Sequence, residues 1–285
     1  MPLDPVVLAG VPVRRVGFGA MQLPGAGVFG PPADRDQAVA VLRRVVDAGV
    51  NHIDTAQFYG PVVANELIHA ALHPYPDDLV IVSKVGAARD DRGGWLGAQT
   101  PGELRAGVEA NLRTLVLDRI PVVNLRRHPE TDVPLAEQLD AMFAMQAEGL
   151  IGGVGLSNVE VDEYDAARRR GEVACVQNAY NIVDRTHQPL LDSCTTDGVP
   201  FVPFFPLGSA FAADRPVLNA PNVRAAAAHL GVTPAQVAQA WLLDQSPFVL
   251  LISGTSSPVH LEENLAVEDV VLDAEARTLL PGRGR

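Results

Sequence analysis

The stretch from residue 80 to residue 125 predicts the class of fold. The apolar run VIVSK at 80–84 is followed by PGELRAGVEANLRTL at 101–115, whose apolar residues recur at helical spacing, and then by a second apolar run, IPVVNL, at 120–125. Thr100 and Pro101 supply the capping residue and the first-turn proline that open such a helix. Two short buried strands joined by a helix predict a βαβ unit, and hence a parallel sheet.

The same alternation of short apolar runs and longer amphipathic stretches extends along the chain. The predicted strands are Val16–Met21, His52–Thr55, Val80–Lys84, Ile120–Leu125, Gly153–Leu156, Ala174–Gln177, Phe201–Phe204 and Val249–Ile252. The predicted helices are Asp36–Ala48, Ala64–Leu72, Pro101–Leu115, Leu135–Glu148, Glu160–Arg170, Leu190–Asp197, Ala235–Asp244 and His260–Ala266. This repeating α/β pattern favours a closed (β/α)8 TIM barrel over an open doubly wound sheet. Residues 5–15, around Gly10, are expected to form an N-terminal β-hairpin at the bottom of the barrel.

Composition limits the classes of function. The chain has 285 residues, 47% of them hydrophobic, so residues 1–285 are expected to form one barrel domain. A net charge of -12 without a basic face argues against nucleic-acid binding. The sequence shows neither a signal pattern nor a membrane-spanning run, and Cys175 and Cys194 form no metal-type or redox-type pair. We therefore expect a cytoplasmic protein with buried thiols and without a metal site.

Lys84 is the only lysine in the chain, and every other residue among the 22 lysines and arginines is an arginine. A general preference for arginine explains the excess, but it makes the one retained lysine stand out. Arginine stays charged at all ordinary pH values, whereas a buried lysine shifts its pKa readily and can form a Schiff base. The lone lysine at the end of a predicted strand therefore indicates a chemical role.

Polar residues follow most of the predicted strands at their carboxyl ends. They are Asp54 and Thr55, Ser83 and Lys84, Asn124, Arg126 and His128, Ser157 and Asn158, Gln177 and Asn178, and the stretch from Ser253 to Ser257. An ordinary loop hydrogen bond explains any one of them. Because the carboxyl ends of barrel strands meet at one rim, their convergence predicts an active site there. The first strand lacks the Rossmann glycine fingerprint, so a bound dinucleotide must be held in another way.

Six motifs in chain order resemble those of the aldo-keto reductases and span about residues 16–266. They are DTAQFYG at 54–60 with Asn65-Glu66 after it, Ser83-Lys84, GLSN at 155–158, Gln177 with Tyr180-Asn181, FFPLGS at 204–209, and GTSS at 254–257 with Glu263-Asn264. The resemblance implies an oxidoreductase that passes hydride between a nicotinamide cofactor and a carbonyl compound.

The resemblance assigns the acid–base chemistry to Asp54, Tyr59 and Lys84. It implies that Tyr59 hydrogen-bonds the carbonyl oxygen and gives it a proton as hydride reaches the carbon. The pKa of a free phenol of this kind is about 10, and a neighbouring ammonium lowers it by favouring the phenolate. Lys84 would supply that charge, and Asp54 would pair with Lys84 and fix its direction. A merely packed aromatic ring is the ordinary alternative for Tyr59.

The same carry-over predicts a cofactor site. Ser157, Asn158 and Gln177 would hold the nicotinamide carboxamide, and the ring would stack on Phe204. Backbone amides at Ser256 and Ser257 would hold a phosphate at a helix start, with simple capping as the alternative for each serine. The full predicted set is Gly19, Met21, Asp54, Ser157, Asn158, Gln177, Phe204, Phe205, Leu207, Ser209, Gly254, Thr255, Ser256, Ser257, His260, Glu263 and Asn264.

The sequence departs from the family at the adenosine end of this site. Gly254 and His260 stand where many family members carry a lysine and an arginine that neutralise the 2′-phosphate. The resemblance favours NADP(H), and NAD(H) stays possible.

Arg126 stands where the family usually has a catalytic histidine, and it is the fourth predicted catalytic residue. Alternation along the strand puts Asn124, Arg126 and His128 on one side. The Arg126 guanidinium cannot shuttle protons near neutral pH, but it can stabilise the charge that develops on a carbonyl oxygen, or bind an anionic substituent of the substrate. His128 could replace the histidine only if a bulge shifted the strand. A surface arginine at the rim is the ordinary alternative.

Two further functions stay open at the level of sequence. A Schiff-base aldolase or lyase also uses a lone lysine at a strand end, although Asp54 and Tyr59 fit a permanently charged amine better. A non-catalytic subunit that senses the nicotinamide cofactor would keep the barrel without turnover, and the arginine at position 126 gives this alternative some weight. The expected substrate is a small carbonyl compound, and the sequence specifies neither its identity nor the oligomeric state.

Overall fold

The computed structural model describes residues 3–128, 131–208 and 214–282. Its strands are β1 (Val6–Leu8), β2 (Val11–Val13), β3 (Phe18–Gly19), β4 (His52–Asp54), β5 (Val80–Val85), β6 (Ala87–Arg89), β7 (Trp95–Gly97), β8 (Ile120–Arg126), β9 (Ile151–Ser157) and β10 (Val173–Gln177). Its α-helices are α1 (Arg35–Asp47), α2 (Val63–Leu72), α3 (Pro101–Leu115), α4 (Leu135–Ala147), α5 (Val161–Arg168), α6 (Gln188–Asp197), α7 (Pro216–Asn219), α8 (Pro221–Leu230), α9 (Pro234–Gln245), α10 (Pro258–Leu265) and α11 (Ala274–Leu279).

The main sheet closes into a barrel. Six strands pair in parallel in the order β10-β9-β8-β5-β4-β3. Two short segments complete the ring, because Phe201 pairs with both Val176 and Val249, and Leu251 pairs with Val16. With the helices on the outside, the result is the predicted (β/α)8 barrel.

The predicted hairpin is present at the bottom of the barrel. β1 pairs antiparallel with β2, and Ala9 and Gly10 form the turn with positive φ angles of 51° and 81°. Apolar side chains of the hairpin pack against residues of the barrel wall in one buried cluster. The members of this cluster are Val6, Leu8 and Val13 of the hairpin and Val80, Val82, Val122, Cys175, Val202 and Leu250 of the barrel. The hairpin therefore closes the amino-terminal end, and the open rim is the carboxyl-terminal one.

Two larger clusters of buried apolar side chains lie between the sheet and the helices. Cys175 and Cys194 are free and buried, as expected. Across the described ranges, the helices are all too short or too polar to cross a membrane.

Several predicted boundaries need correction. The first strand ends at Gly19 rather than Met21, because Ala20–Gln22 turns into a 3-10 helix. The segments predicted as strands at Phe201–Phe204 and Val249–Ile252 pair only through single bridges. Pro203 explains this for the first of the two segments, since it lacks the N–H that would extend the ladder beyond Phe201. Most helix ends move by one or two residues, whereas α3 has the predicted bounds.

Three regions of regular structure were not predicted from the sequence. A two-stranded hairpin, β6 with β7, follows β5 directly. The helices α7 and α8 lie in the stretch left without a prediction, and α11 follows the last predicted helix. The two strands of the hairpin have only three residues each, too few to show a period, and the α8 sequence PNVRAAAAHL is too rich in alanine to show a clear apolar stripe.

Candidate active site

The barrel rim brings the predicted acid–base residues together. Asp54 is the last residue of β4, and Lys84 lies one position before the end of β5. In the parallel pairing Asp54 stands opposite Val82, and Lys84 stands opposite Asn124. Both charged side chains are 3% exposed, so the pair lies inside the barrel mouth rather than on the surface.

Lys84 is held as a charged amine. Its Nζ donates hydrogen bonds to the carboxylate of Asp54 and, at 3.0 Å, to the backbone oxygen of Thr55. Burial by itself would lower the pKa of Lys84, but the neighbouring Asp54 carboxylate and the Tyr59 hydroxyl raise the pKa above its usual value. The amine is therefore protonated at neutral pH, which disfavours a neutral nucleophile of the Schiff-base type.

Tyr59 lies against this ion pair. The Lys84 Nζ is 4.9 Å from the centroid of the Tyr59 ring, and the ring is 6% exposed. Phe58 packs its ring edge-on at 5.3 Å and fixes the other side. The chain turns sharply after the tyrosine at Gly60, where φ is 106° and a Cβ would come within 2.4 Å of the Cβ of Val63. Only glycine allows this turn.

A buried hydrogen-bond network behind the site joins the loop of Tyr59 to the strand of Lys84. Asn111 of α3 is its centre, and its Oδ1 accepts from Ser83 Oγ at 2.6 Å and from Asn65 Nδ2 at 2.9 Å. The Asn111 Nδ2 donates to Gln57 Oε1 at 3.1 Å, two residues before Tyr59. The Asn65 Oδ1 accepts from Thr55 Oγ1 at 2.8 Å. These bonds tie three elements to one buried amide.

Two of the buried polar atoms that have no hydrogen-bond partner within the described ranges belong to the predicted nicotinamide site. They are the Oγ of Ser157 and the Oε1 of Gln177, and both are fully buried. The Nε2 of Gln177 donates to Asp54 Oδ2 at 2.8 Å, which orients the free oxygen. Buried polar atoms normally have hydrogen-bond partners, so this donor and this acceptor fit a bound group that offers both, such as a carboxamide.

Other residues of the predicted nicotinamide site have structural contacts as well. Asn158 has a positive φ of 60°, and its Nδ2 donates to the backbone oxygen of Arg127 at 3.2 Å. Phe204 is partly exposed at the rim with Phe205 packed edge-on at 5.0 Å. The backbone oxygen of Phe205 accepts from Asn181 Nδ2 at 3.1 Å. Leu207 packs on the outer core, and Ser209 lies outside the described residues.

Arg126 is the last residue of β8 and pairs in register with Ser157. Its guanidinium carbon lies 5.6 Å from the centroid of the Phe204 ring, so the side chain extends over the rim. The next residue, Arg127, points outward and pairs with Glu163 at 3.0 Å. His128 lies beyond the strand against the hairpin, where a Cβ on Gly97 would be 3.6 Å from its Cγ. Arg126 therefore lies at the end of its strand beside the predicted nicotinamide site, whereas His128 lies outside the strand.

The predicted adenosine end lies at the start of α10. Ser257 caps this helix and accepts from the backbone N–H of His260, as the capping alternative expects. Thr255 Oγ1 accepts from the backbone N–H of Ser257 at 3.0 Å, and the backbone oxygen of Ser256 accepts from Gln37 Nε2 at 2.7 Å. The side chains of Ser256 and His260 are exposed. The loop is thus held in shape by its own polar groups.

The side chain of Asn264 and the backbone of Glu263, both in the predicted adenosine site, form hydrogen bonds within the protein. Asn264 is buried, and its side chain accepts from Gln239 at 2.9 Å and donates to the backbone oxygen of Ser253 at 3.5 Å. The backbone oxygen of Glu263 accepts from Gln236 at 3.2 Å. The nearby Arg44 is paired with Glu262 at 2.7 Å. Asn264 therefore supports the loop, and the charge of Arg44 is balanced.

Gly19 and Gly254 have a packing role at the point where the barrel closes. A Cβ on Gly254 would lie 1.9 Å from the backbone oxygen of Gly19, and a Cβ on Gly19 would lie 2.5 Å from the backbone oxygen of Ile252. A lysine therefore has no room at position 254. Met21 follows in the 3-10 helix and packs on the neighbouring core.

Asn111, Gln57 and Trp95 contribute to the site although the sequence did not predict a role for them. Asn111 interrupts the apolar face of α3, and a buried asparagine on such a face is the signal that was available. Trp95 packs on Phe58 at 5.7 Å and on the Arg89 guanidinium at 4.1 Å. It belongs to the hairpin that the sequence did not predict.

Known proteins resemble this chain over nearly all of its length. Residues 15–280 match the model of the aldo/keto reductase family. The pyridoxine 4-dehydrogenase of Escherichia coli K12 is 48% identical over 278 residues, which are 96% of each chain. A Klebsiella pneumoniae aldo/keto reductase solved with NADP and acetate is 28% identical with a TM-score of 0.80, covering 99% of this chain and 97% of its own. An aldo-keto reductase of the same organism solved with NADPH is also 28% identical, with a TM-score of 0.82 and coverage of 100% and 98%.

The family match covers nearly the whole chain, and the relative from Escherichia coli shares almost half of its residues. These findings confirm the fold and the class of enzyme predicted from the sequence, and the two structures contain the predicted cofactor type. The chain belongs to the aldo/keto reductase family of oxidoreductases.

Proposed function

We propose that this protein interconverts an aromatic aldehyde of the pyridoxal type and its primary alcohol, with NADP(H) as the hydride carrier and Tyr59 as the proton donor. The observation that carries the proposal is the buried Lys84–Asp54 ion pair against the ring of Tyr59. A reducing compartment such as the cytoplasm suits its free thiols.

The acid–base chemistry follows from the contacts of Lys84. When Tyr59 gives its proton to a carbonyl oxygen, it becomes a phenolate, and a fixed ammonium nearby stabilises that charge. Asp54 keeps the ammonium charged and correctly directed through its hydrogen bond to Lys84. Solvent returns a proton to Tyr59 after each turnover, and in the oxidation direction the phenolate takes the proton from the alcohol.

The residues at the rim suit a nicotinamide cofactor. The Ser157 hydroxyl can donate to a carboxamide oxygen, and the free Gln177 oxygen can accept from its amide. Phe204 offers an aromatic face, and the start of α10 offers backbone amides and the positive end of the helix dipole for a phosphate. Bound NADPH supplies the hydride that the carbonyl carbon accepts. The NADP-containing relatives support the choice of cofactor.

Arg126 takes the place of the usual family histidine in this proposal. Its guanidinium lies over Phe204 at the rim and can donate a hydrogen bond to the same carbonyl oxygen as Tyr59. A fixed positive charge there stabilises the oxyanion as it develops. The substrate class rests on the name and the 48% identity of the relative from Escherichia coli.

The experiment compares wild type with Tyr59→Phe. Purified protein is titrated with NADPH by fluorescence, and reduction of pyridoxal is followed by the loss of NADPH absorbance. We expect Tyr59→Phe to bind NADPH nearly as wild type does and to lower kcat by at least about a hundredfold, the scale of a lost general acid. Phe58→Leu is the matched control, since it changes the adjacent ring and keeps the phenol. Equal turnover by wild type and Tyr59→Phe would contradict the proposal, and so would tight cofactor binding without turnover of any aldehyde in wild type.

A further inference from the structure

Arg126 carries a positive charge that no acidic residue in the described part of the chain balances. The neighbouring Arg127, on the outer side of the strand, is paired with Glu163 at 3.0 Å. Below Arg126 in the barrel, the charge of Lys84 is already balanced by Asp54. Arg126 is partly buried and has the face of Phe204 as its aromatic contact. In a protein with a net charge of -12, an unpaired guanidinium at the rim suits an anion that comes with a ligand.

The backbone of Arg126 is fixed in place. Its carbonyl oxygen accepts from Gln99 Nε2 at 2.7 Å, and a Cβ on Gly86 would lie 2.3 Å from the same oxygen. The side chain therefore starts from a tightly packed strand end, which limits the space that the guanidinium can reach. A charge held by a rigid element is suited to selecting a ligand.

The height of Arg126 in the barrel limits where on a substrate the anion can be. Arg126 is in register with Ser157, and it lies two residues beyond Asn124, the partner of Lys84 in the ladder. Two residues of a strand span roughly 7 Å. The backbone of Arg126 thus lies one layer above that of Lys84, beside Ser157 of the proposed carboxamide site, so an anion bound by its guanidinium would lie near the reacting carbonyl group.

We propose that Arg126 selects aromatic aldehydes with an ionised hydroxyl group ortho to the carbonyl group. The inference rests on the proposed function and deepens it by naming the feature of the substrate that is recognised. A planar guanidinium presents parallel N–H groups, so one can serve the carbonyl oxygen while another serves the neighbouring oxyanion. The 3-hydroxyl group of a pyridoxal-type aldehyde stands in this relation to its 4-carbonyl group.

The test uses two aldehydes that differ only in the hydroxyl group, 3-hydroxypyridine-4-carboxaldehyde and pyridine-4-carboxaldehyde. Their kcat/KM values with saturating NADPH are measured for wild type, Arg126→Gln, Arg126→Lys and the control Arg127→Gln. We expect wild type to prefer the hydroxylated aldehyde by about thirtyfold, the scale of one charge-assisted hydrogen bond. This preference should fall to about threefold or less in Arg126→Gln, stay in part in Arg126→Lys and persist in Arg127→Gln.

The ratio of the two aldehydes separates recognition of the oxyanion from the general role of Arg126. If Arg126→Gln lowers both kcat/KM values by the same factor, the guanidinium serves only the carbonyl oxygen and the inference is wrong. Equal wild-type values for the two aldehydes overturn it as well. A 3-methoxy derivative, which has the bulk without the charge, should behave like the unsubstituted aldehyde. If wild type reduces neither pyridine aldehyde, the proposed function itself fails.

Discussion

Removing the charge of Lys84 should destabilise the protein, because it leaves the Asp54 carboxylate buried without its counterion. Both side chains are 3% exposed, so little solvent screens them. Loss of one member of a buried ion pair typically costs about 3–5 kcal/mol. Lys84→Met keeps the length of the side chain but also leaves the backbone oxygen of Thr55 without its 3.0 Å donor. The remaining bond from Gln177 to Asp54 at 2.8 Å offsets part of the cost. We expect a loss of about 4 kcal/mol at pH 7.

The double variant Lys84→Met/Asp54→Asn tests whether the loss comes from the unpaired charge. Neither charge remains in it, so its free energy of unfolding should return to within about 2 kcal/mol of wild type. Urea unfolding is followed by the fluorescence of the buried Trp241. The single variant Asp54→Asn completes the cycle. A loss below about 1 kcal/mol in Lys84→Met would show that the buried carboxylate does not need its counterion. A double variant as unstable as the sum of the two single ones would show that the two charges do not stabilise each other.

Three further predictions concern residues around the site. Burial lowers the pKa of His52 to about 4 from the usual 6.5, a shift that Asp54 opposes and Lys84 reinforces. Stability present above pH 6.5 should therefore be lost as the pH falls toward 4, by about 2 kcal/mol between pH 7 and pH 5. In urea unfolding, His52→Gln should lack this pH dependence, and equal pH profiles of the variant and wild type would contradict the prediction. Asn111→Ala should lower kcat about tenfold with little change in the Kd for NADPH. The control Thr114→Val removes one hydrogen bond to the same network and should change kcat only slightly. An unchanged kcat in Asn111→Ala would exclude a positioning role. Gly254→Lys should fail to fold stably because a side chain there would overlap the backbone of Gly19, and a stable Gly254→Lys protein would contradict this. Ser256→Lys, at an exposed position, should instead raise the preference for NADPH over NADH about tenfold in fluorescence titrations.

The barrel, and the meeting of Asp54, Tyr59 and Lys84 at its rim, could be predicted from the sequence. A regular alternation of apolar runs and amphipathic stretches is a local property, so it predicts strands and helices without knowledge of their contacts. Once the strands are located in the sequence, the residues at their carboxyl ends are known. In a parallel barrel, the carboxyl ends of all strands lie at the same rim. The lone lysine and the motif from Asp54 to Gly60 were therefore sufficient to predict which side chains meet.

Which buried polar atoms have hydrogen-bond partners could not be predicted from the sequence and depends on the folded structure. Asn111 is distant in sequence from the residues it bonds, and no local pattern reports that its amide joins Ser83, Asn65 and Gln57. The same holds for the unpartnered oxygen of Gln177, because a missing hydrogen bond depends on every neighbour in space.

Packing between distant segments also sets features that the local sequence leaves ambiguous, such as the end of a strand and the closure of the barrel. His128 lies beyond the strand because β8 ends at Arg126, a boundary set by pairing with β9 rather than by the local sequence. The closure of the barrel at Gly254 depends on a backbone contact with Gly19, more than two hundred residues away along the chain. Periodicity records the burial of each segment, whereas register, contact distance and hydrogen-bond satisfaction arise only when segments distant in sequence are brought together.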